Sequence, residues 1–205
     1  MNALARPLLF GGSVRLEPLT LDHVPALADT LHTERGTFGW TQVPTPETAE
    51  TTVRTQLADV EQGVRSPYAQ VHVPSGRVMG LTSYIFPLWA GGRLQTVEVG
   101  STFLVPEVQG TSFNSESKLL MFDNAFESWG VDRVQICTDA RNERSRAAIA
   151  AVGGVFEGII RNYRTSFVDG ELGQPRNTAM FSIVREEWPE TKARLQARIA
   201  TLLSR

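Results

Sequence analysis

Residues 109–114, "QGTSFN", stand between an apolar strand pattern and a helical pattern and are small or polar. Backbone amides at the start of a helix have no partner within the helix, and the helix dipole is positive there. A loop of small residues lets an anion approach these amides closely. The stretch therefore predicts a phosphate-binding loop before a helix that begins near Ser115. An ordinary capped helix after a surface turn would explain the same residues.

Glu98 is the candidate general base. It lies between Val97 and Val99 in a strand pattern and must therefore face the opposite side of the sheet from them. A carboxylate on a central, covered strand is costly unless it is partnered or used. Glu98 could take a proton from a bound substrate through a water molecule. A structural hydrogen bond or salt bridge would account for the same placement.

A second polar pair stands at the start of a short helical pattern, "NERSRAAIAAVGG". Asn142 is a preferred residue type at a helix N-cap, and Ser145 would then close the first turn. Cys137 precedes them in a strand pattern without a histidine nearby in sequence, so we interpret it as a small core residue rather than a nucleophile. Glu107 and Lys118 are expected to face solvent.

Composition limits the function classes. The chain has 205 residues, of which 41% are hydrophobic, and a formal net charge of -2. This balance gives no basic surface for nucleic acid, and no apolar run is long enough for a membrane span or signal peptide. A single cysteine excludes an internal disulfide and fits a cytoplasmic setting. The three histidines lie too far apart for a metal site, so no metal is expected.

The elements that must position these residues follow in a clear order. One strand is followed by two helices, three strands in a meander, and then helix, strand, helix and two strands. Such an order predicts an α/β fold with a twisted mixed sheet covered by helices on both faces. We expect one domain over residues 1–205, with a core at about 13–189 and a helical tail at 189–205. The helix after the loop is expected at residues 115–129.

The run from Val97 to Gly154 resembles the core of the GCN5-related N-acetyltransferases (GNAT), and more closely their RimJ/RimL-type branch. That family holds the pyrophosphate of acetyl-CoA in a Gln/Arg-x-x-Gly-x-Gly/Ala loop. The matching positions here are Gln109, Ser112 and Asn114, so both family glycines are replaced. "GSVRLEPLTLDHVPAL" and "EEWP" also resemble family segments, and the likeness covers about residues 13–189.

The resemblance implies acetyl-CoA as co-substrate and an amine as acceptor, either a protein N-terminus or a small amine, attacked directly in a ternary complex. It places Asn142 at the pantetheine arm and Ser145 near the thioester sulfur as the acid. Tyr163 lies beyond the matched motif, and its phenol makes it a second candidate acid, although an ordinary core or surface tyrosine would explain it as well. Backbone amides near residues 103–105 would stabilise the oxyanion. The expected acetyl-CoA contacts are Phe103, Leu104, Val105, Gln109, Gly110, Thr111, Ser112, Phe113, Asn114, Asn142 and Ser145.

Two further expectations concern partners. The aromatic residues Phe38, Trp40 and Trp89 are predicted to lie in loops that could line an acceptor pocket. The family pairs through late strands, so a homodimer is expected, with the tail after Pro189 and residues 164–177 supplying the interface. A non-catalytic acetyl-CoA-binding or interaction protein on the same fold is the alternative function.

Overall fold

The structure of the chain, a computed structural model, describes residues 4–204. Its eight strands form one sheet. The strands are β1 (Leu9–Phe10), β2 (Val14–Pro18), β3 (Arg65–His72), β4 (Val78–Ala90), β5 (Arg93–Leu104), β6 (Arg133–Asp139), β7 (Val155–Thr165) and β8 (Pro175–Val184). The α-helices are α1 (Val24–Thr30), α2 (Ala49–Glu61), α3 (Phe113–Asp123), α4 (Glu143–Ala151) and α5 (Trp188–Leu203).

The spatial order of the sheet is β1-β2-β3-β4-β5-β6-β8-β7. Every neighbouring pair is antiparallel except β5 and β6, which are parallel. Parallel neighbours need a crossover connection, and α3 supplies it. The predicted α/β fold with a mixed sheet is confirmed.

Two apolar clusters cover the two faces of the sheet. Alternation along a strand sends adjacent side chains to opposite faces, and the buried neighbours Phe103 and Leu104 on β5 accordingly join different clusters. Helices α1 and α2 pack on the Phe103 side through residues such as Leu27 and Val53. Helices α3, α4 and α5 pack on the Leu104 side, where Ile149 and Leu195 are buried.

β5 and β6 separate after a short parallel ladder. Their pairing covers only Thr96–Glu98 with Arg133–Gln135, whereas β6 stays paired with β8 as far as Asp139. The β4–β5 register shifts over the same part of β5, and Ser101 there has a φ of 48°. Such a bulge bends a strand and disrupts its ladder locally. The separation leaves a wedge-shaped cleft between two central strands.

Several sequence predictions of element bounds are wrong in detail. Trp89 lies within β4 rather than in a loop, because the β4–β5 hairpin is longer than its apolar pattern indicates. α3 begins at Phe113 and ends at Asp123, and a wider π-helical turn continues it over Asn124–Ser128. The tail helix begins at Trp188 and ends at Leu203, and one face of it is buried through Trp188, Thr191, Leu195 and Ile199.

Candidate active site

The cleft between β5 and β6 opens into a cavity of about 1050 Å³. Its walls come from the separated part of β5, the facing residues of β6, the loop before α3, the start of α4 and the α1–α2 connection. Most of the predicted site residues line it, namely Glu98, Phe103, Leu104, Gln109, Gly110, Thr111, Asn114, Asn142 and Ser145. Val105, Ser112 and Phe113 belong to the same segments but are buried behind the lining.

The loop before α3 has the backbone of a tight turn that feeds a helix. Gly110 has a φ of 77°, a conformation that glycine adopts without steric strain. Ser112 is the N-cap with an ordinary helical φ of -66° and is 6% exposed. A serine therefore fits the position of a family glycine. The Phe113 amide donates to Thr111 Oγ1 at 3.2 Å, and the other first-turn amides need an acceptor from elsewhere.

Gln109 ties this loop to two other walls of the cleft. Its Nε2 donates to the Leu104 carbonyl at 2.6 Å and to Thr37 Oγ1 at 3.2 Å. Its Oε1 accepts from Arg144 at 2.6 Å, which links the loop to the first turn of α4. These bonds fix the loop against the end of β5, so the amides after Gln109 have a defined direction.

The end of β5 offers backbone groups rather than side chains to the cleft. The side chains of Phe103, Leu104 and Val105 are all under 9% exposed. The Val105 amide is already bonded to the Met79 carbonyl at 2.9 Å, so it is not a free donor for an oxyanion. Successive amides of a strand point to opposite sides, which directs the Leu104 amide toward the open side.

Asn142 and Ser145 stand at the start of α4. The Asn142 Oδ1 accepts from the Ser145 amide at 3.0 Å, so the capping interpretation of Asn142 is confirmed. Ser145 lines the cleft, and its backbone amide closes the first turn of α4. Tyr163 is 40% exposed on β7 and stacks on the Arg164 guanidinium, whose carbon lies 4.5 Å from the ring centroid.

Glu98 is buried in a polar network on the cleft wall. Its carboxylate accepts from Arg164 at 2.9 Å, from Gln135 Nε2 at 3.1 Å and from Cys137 Sγ at 3.2 Å. The ion pair explains how a carboxylate that is 3% exposed is tolerated on a central strand. It also gives Glu98 the structural partner that the sequence left open. Phe86 covers the other side of Arg164, with its ring centroid 4.1 Å from the guanidinium carbon.

Cys137 lies beside this carboxylate. Burial, followed by the charge of Glu98, raises the pKa of the Cys137 thiol to about 12. The thiolate, not the thiol, is the nucleophilic form. Cys137 is therefore a neutral hydrogen-bond donor in this site, in agreement with its assignment as a non-nucleophilic residue, although it is only partly buried.

The aromatic residues predicted to line the acceptor side divide into two groups. Phe38 and Trp40, in the connection between α1 and α2, line the cavity, and Trp40 stacks on Arg141. Trp89 does not line it and packs partly buried against the apolar core. Glu107 is exposed beside Arg77, as expected.

Lys118 contradicts the expectation that it faces solvent. It is 6% exposed, and its Nζ donates to Thr102 Oγ1 at 2.8 Å and to Thr82 Oγ1 at 3.2 Å. Burial lowers the pKa of the Lys118 amine to about 7. Helical spacing could have found it, because Lys118 lies three and four residues before the buried Met121 and Phe122 and so shares their face.

Two kinds of feature are absent from residues 4–204. Within that range, no group of three or more His, Cys, Asp or Glu side chains is arranged to hold a metal ion. No helix of the described part of the chain is long and apolar enough to cross a membrane.

Solved structures of other proteins share this architecture. A GCN5-related N-acetyltransferase from Brucella melitensis is 27% identical, with a TM-score of 0.81 over 96% of this chain and 86% of that one. A proposed acetyltransferase from T. thermophilus is 32% identical, with a TM-score of 0.78 over 97% and 100%. RimJ from Mycobacterium smegmatis, solved with a CoA-disulfide, shares the fold at 18% identity and a TM-score of 0.75 over 94% and 92%.

Comparison with curated proteins gave no match. The acetyltransferase (GNAT) domain, as a sequence family, matches residues 13–155, which is more than half of the chain. Enzymes of this family use acetyl-CoA as acetyl donor. The matched range contains the loop before α3, the separated strands β5 and β6, and α4. The chain belongs to the GNAT family and is an N-acetyltransferase.

Proposed function

We propose that the protein transfers the acetyl group of acetyl-CoA to a primary amine by direct attack in a ternary complex. The acceptor is a protein N-terminal amine or a small amine. The observation that carries the proposal is the cleft itself. It has a helix N-terminus with a small-residue loop at one wall, the edge of β5 that is unpaired with β6 beyond Glu98, and the buried Glu98 carboxylate where the two strands separate.

Each part of acetyl-CoA is proposed to bind one of these walls. The pyrophosphate binds the backbone amides of residues 109–114, where the helix dipole favours negative charge. The pantetheine arm runs along residues 103–105 of β5, with Asn142 across the cleft. The thioester then lies near Ser145, and the Leu104 amide is the donor available to its carbonyl oxygen.

Glu98 is proposed as the general base. The attacking amine must lose a proton, and Glu98 can accept it through a water molecule on the acceptor side of the cleft. Arg164 balances the charge of the carboxylate while it is buried. Ser145 donates a hydrogen bond to the departing sulfur. The protein otherwise contributes mainly positioning, since the thioester is already activated.

A non-catalytic acetyl-CoA-binding protein is the second candidate. The observation that favours it is the occupation of the Glu98 carboxylate by three donors, Arg164, Gln135 and Cys137. A carboxylate held in this way can serve the fold alone. Binding of acetyl-CoA is common to both candidates, and turnover separates them.

The test combines binding with turnover. Thermal shift with CoA reports binding, and thiol release from acetyl-CoA is followed with short peptides that have free N-termini and with small primary amines such as 2-phenylethylamine. We expect a rise in melting temperature with CoA and thiol release with at least one amine class. Binding without transfer to any amine would favour the second candidate, and absence of CoA binding would contradict both.

We also propose that the chain forms one domain and a homodimer in the cytoplasm. β7 is the edge strand of the sheet and exposes a row of apolar side chains, which are Val155, Phe156, Ile159, Ile160 and Tyr163. A second copy of the chain is the proposed cover for this strand, in line with pairing through late strands. The composition has no excess of basic residues, so nucleic acid is not proposed as a partner.

A further inference from the structure

Lys118 is a buried amine that the proposed mechanism does not use. Its three possible protons meet two acceptors, the hydroxyls of Thr82 and Thr102, and the residue lines the same cavity as Gly100, Ser101 and Thr102 of β5. The separated part of β5 is where the proposed function places the thioester. An ammonium without a carboxylate partner is rarely buried unless it has a use.

The surroundings of Lys118 contain no countercharge among the described residues. On its own helix, Glu116 is bound to the Ser13 amide and hydroxyl. On β5, Glu98 is paired with Arg164. Further ionisable groups on the packed elements also have partners of their own. Asp123 of α3 pairs with Lys192, and Arg65 of β3 donates to Ser101 Oγ at 3.1 Å. Tyr84 of β4 donates to the Met121 carbonyl, and Arg198 of α5 donates to Ser115 Oγ. Burial without a charged partner lowers the pKa of the Lys118 amine to about 7.

We propose that the Lys118 ammonium supplies the proton that neutralises the departing CoA thiolate. The inference rests on the proposed function, because it requires acetyl-CoA in the cleft. The amine nitrogen forms a bond to the acetyl carbon, and the carbon–sulfur bond breaks with its electron pair on sulfur. The sulfur takes a proton from Lys118 Nζ, while the surplus proton of the amine goes to Glu98. Water restores the Lys118 proton, and Glu98 returns its proton to water.

The chemistry of the group fits this role. A thiol has a pKa of about 8.5, so proton transfer from an ammonium with a pKa near 7 to the thiolate is downhill. A general acid is most effective when its pKa lies near the working pH. Ser145 is a hydrogen-bond donor that does not exchange a net proton in this range. The two residues thus have different tasks at the same sulfur.

The first experiment is a direct titration without turnover. The chain has two lysines, Lys118 and Lys192, so protein labelled with ¹³C-lysine gives two side-chain signals, and Lys192→Met assigns them. We expect the Lys118 signal to titrate near pH 7. Titration of Lys118 near pH 10 would overturn the proposal, whatever its variants do.

The second experiment measures single-turnover thiol release across pH with the best amine of the panel. Wild-type release should rise as the amine deprotonates and fall as Lys118 loses its proton. Lys118→Met should bind CoA normally, lose about 100- to 10,000-fold in rate at neutral pH, and lack the falling limb. Lys192→Met is the matched control and should behave as wild type, because Lys192 pairs with Asp123 away from the cleft.

The possible results distinguish failure of the Lys118 role from failure of the proposed function. Lys118→Met with a wild-type rate, or with a lower rate but the same falling limb, would overturn the role of Lys118 and leave the proposed function standing. A wild-type protein that binds no CoA or acetylates no amine would overturn the proposed function and this inference with it. If Lys118→Met does not fold, the lysine titration decides, and Thr102→Val should shift that titration by removing one acceptor.

Discussion

At the scale of the residue, Glu98 has both a structural partner and a position from which it can act. Glu98→Gln should lower turnover by about 100- to 10,000-fold, most at low pH, where the substrate amine is protonated and needs a base. It should also lower the free energy of unfolding by about 1–3 kcal/mol, because Arg164 loses its charged acceptor but stays partly hydrated. The pH–rate profile and melting temperature check both effects.

The double variant Glu98→Gln/Arg164→Met separates the two effects. It removes the unpaired guanidinium, so it should recover melting temperature without recovering turnover. Recovery of both would mean that Glu98 serves the fold and not the chemistry.

Lys118 should make stability depend on pH. Its folded pKa of about 7 lies below the usual 10.5, so the unfolded chain binds more protons between these values and stability rises with pH. The gain from pH 7 to 9 should be about 2 kcal/mol, at up to 1.36 kcal/mol for each pH unit. Above pH 9, the raised pKa of Cys137 acts in the opposite direction. Denaturant unfolding of wild type and Lys118→Met at pH 7, 8 and 9 measures the difference.

Comparison of the two proteins in these unfolding measurements also shows whether the amine is buried. Lys118→Met should be the more stable protein at pH 7, because methionine fills a similar volume without a buried amine, and its stability should change less from pH 7 to 9. Equal pH dependence in both proteins would show that the amine is hydrated in solution.

At the scale of the element, the loop before α3 gives a testable anion site. Gly110→Ala adds a methyl group with no atom within 4 Å of it, but the residue has a φ of 77°. The strain of roughly 1–2 kcal/mol should turn the loop amides and weaken CoA binding, with little steric damage. Calorimetric titration with CoA checks this. Ser112→Trp would be a poorer probe, because Ser112 is buried and a bulky side chain there would disturb the packing of the loop.

Gly91→Ala is the matched control for the loop. Gly91 also has a positive φ, 59°, and open space around an added methyl group, but it lies in the β4–β5 hairpin. It should lose similar stability and keep wild-type CoA affinity. Equal affinity losses in both variants would contradict the placement of the pyrophosphate.

The sequence predicts the elements better than the environment of single residues. The spacing of apolar residues and the small-residue loop before α3 predict the order of the strands and helices, because each of these elements has a local sequence pattern. The separation of β5 and β6 depends on a register shift against β4, which no local pattern records. The Glu98–Arg164 pair joins residues 66 positions apart, and Lys118 becomes buried only through the packing of α3 on the sheet. Neither the ion pair nor the hydrogen bonds of the buried lysine can be predicted from residue spacing along the chain.

At the scale of the whole molecule, the exposed apolar edge of β7 predicts a dimer. Light scattering should give a mass twice that of the 22.6 kDa chain. Ile160→Glu should shift it toward the monomer, since a charge on this edge would be buried without a partner. Val73→Glu, at an exposed apolar position in the β3–β4 turn, is the control and should leave the mass unchanged. A monomeric wild type at working concentration would contradict the dimer.

Acetyl-CoA is proposed to lie in the cleft between β5 and β6. A crystal structure of the protein with acetyl-CoA tests it most directly. We expect the pyrophosphate within hydrogen-bond distance of the amides of residues 109–114 and the thioester between the separated strands, on the side of Ser145 and Lys118. Acetyl-CoA bound elsewhere, or a pyrophosphate that makes no contact with the start of α3, would contradict it.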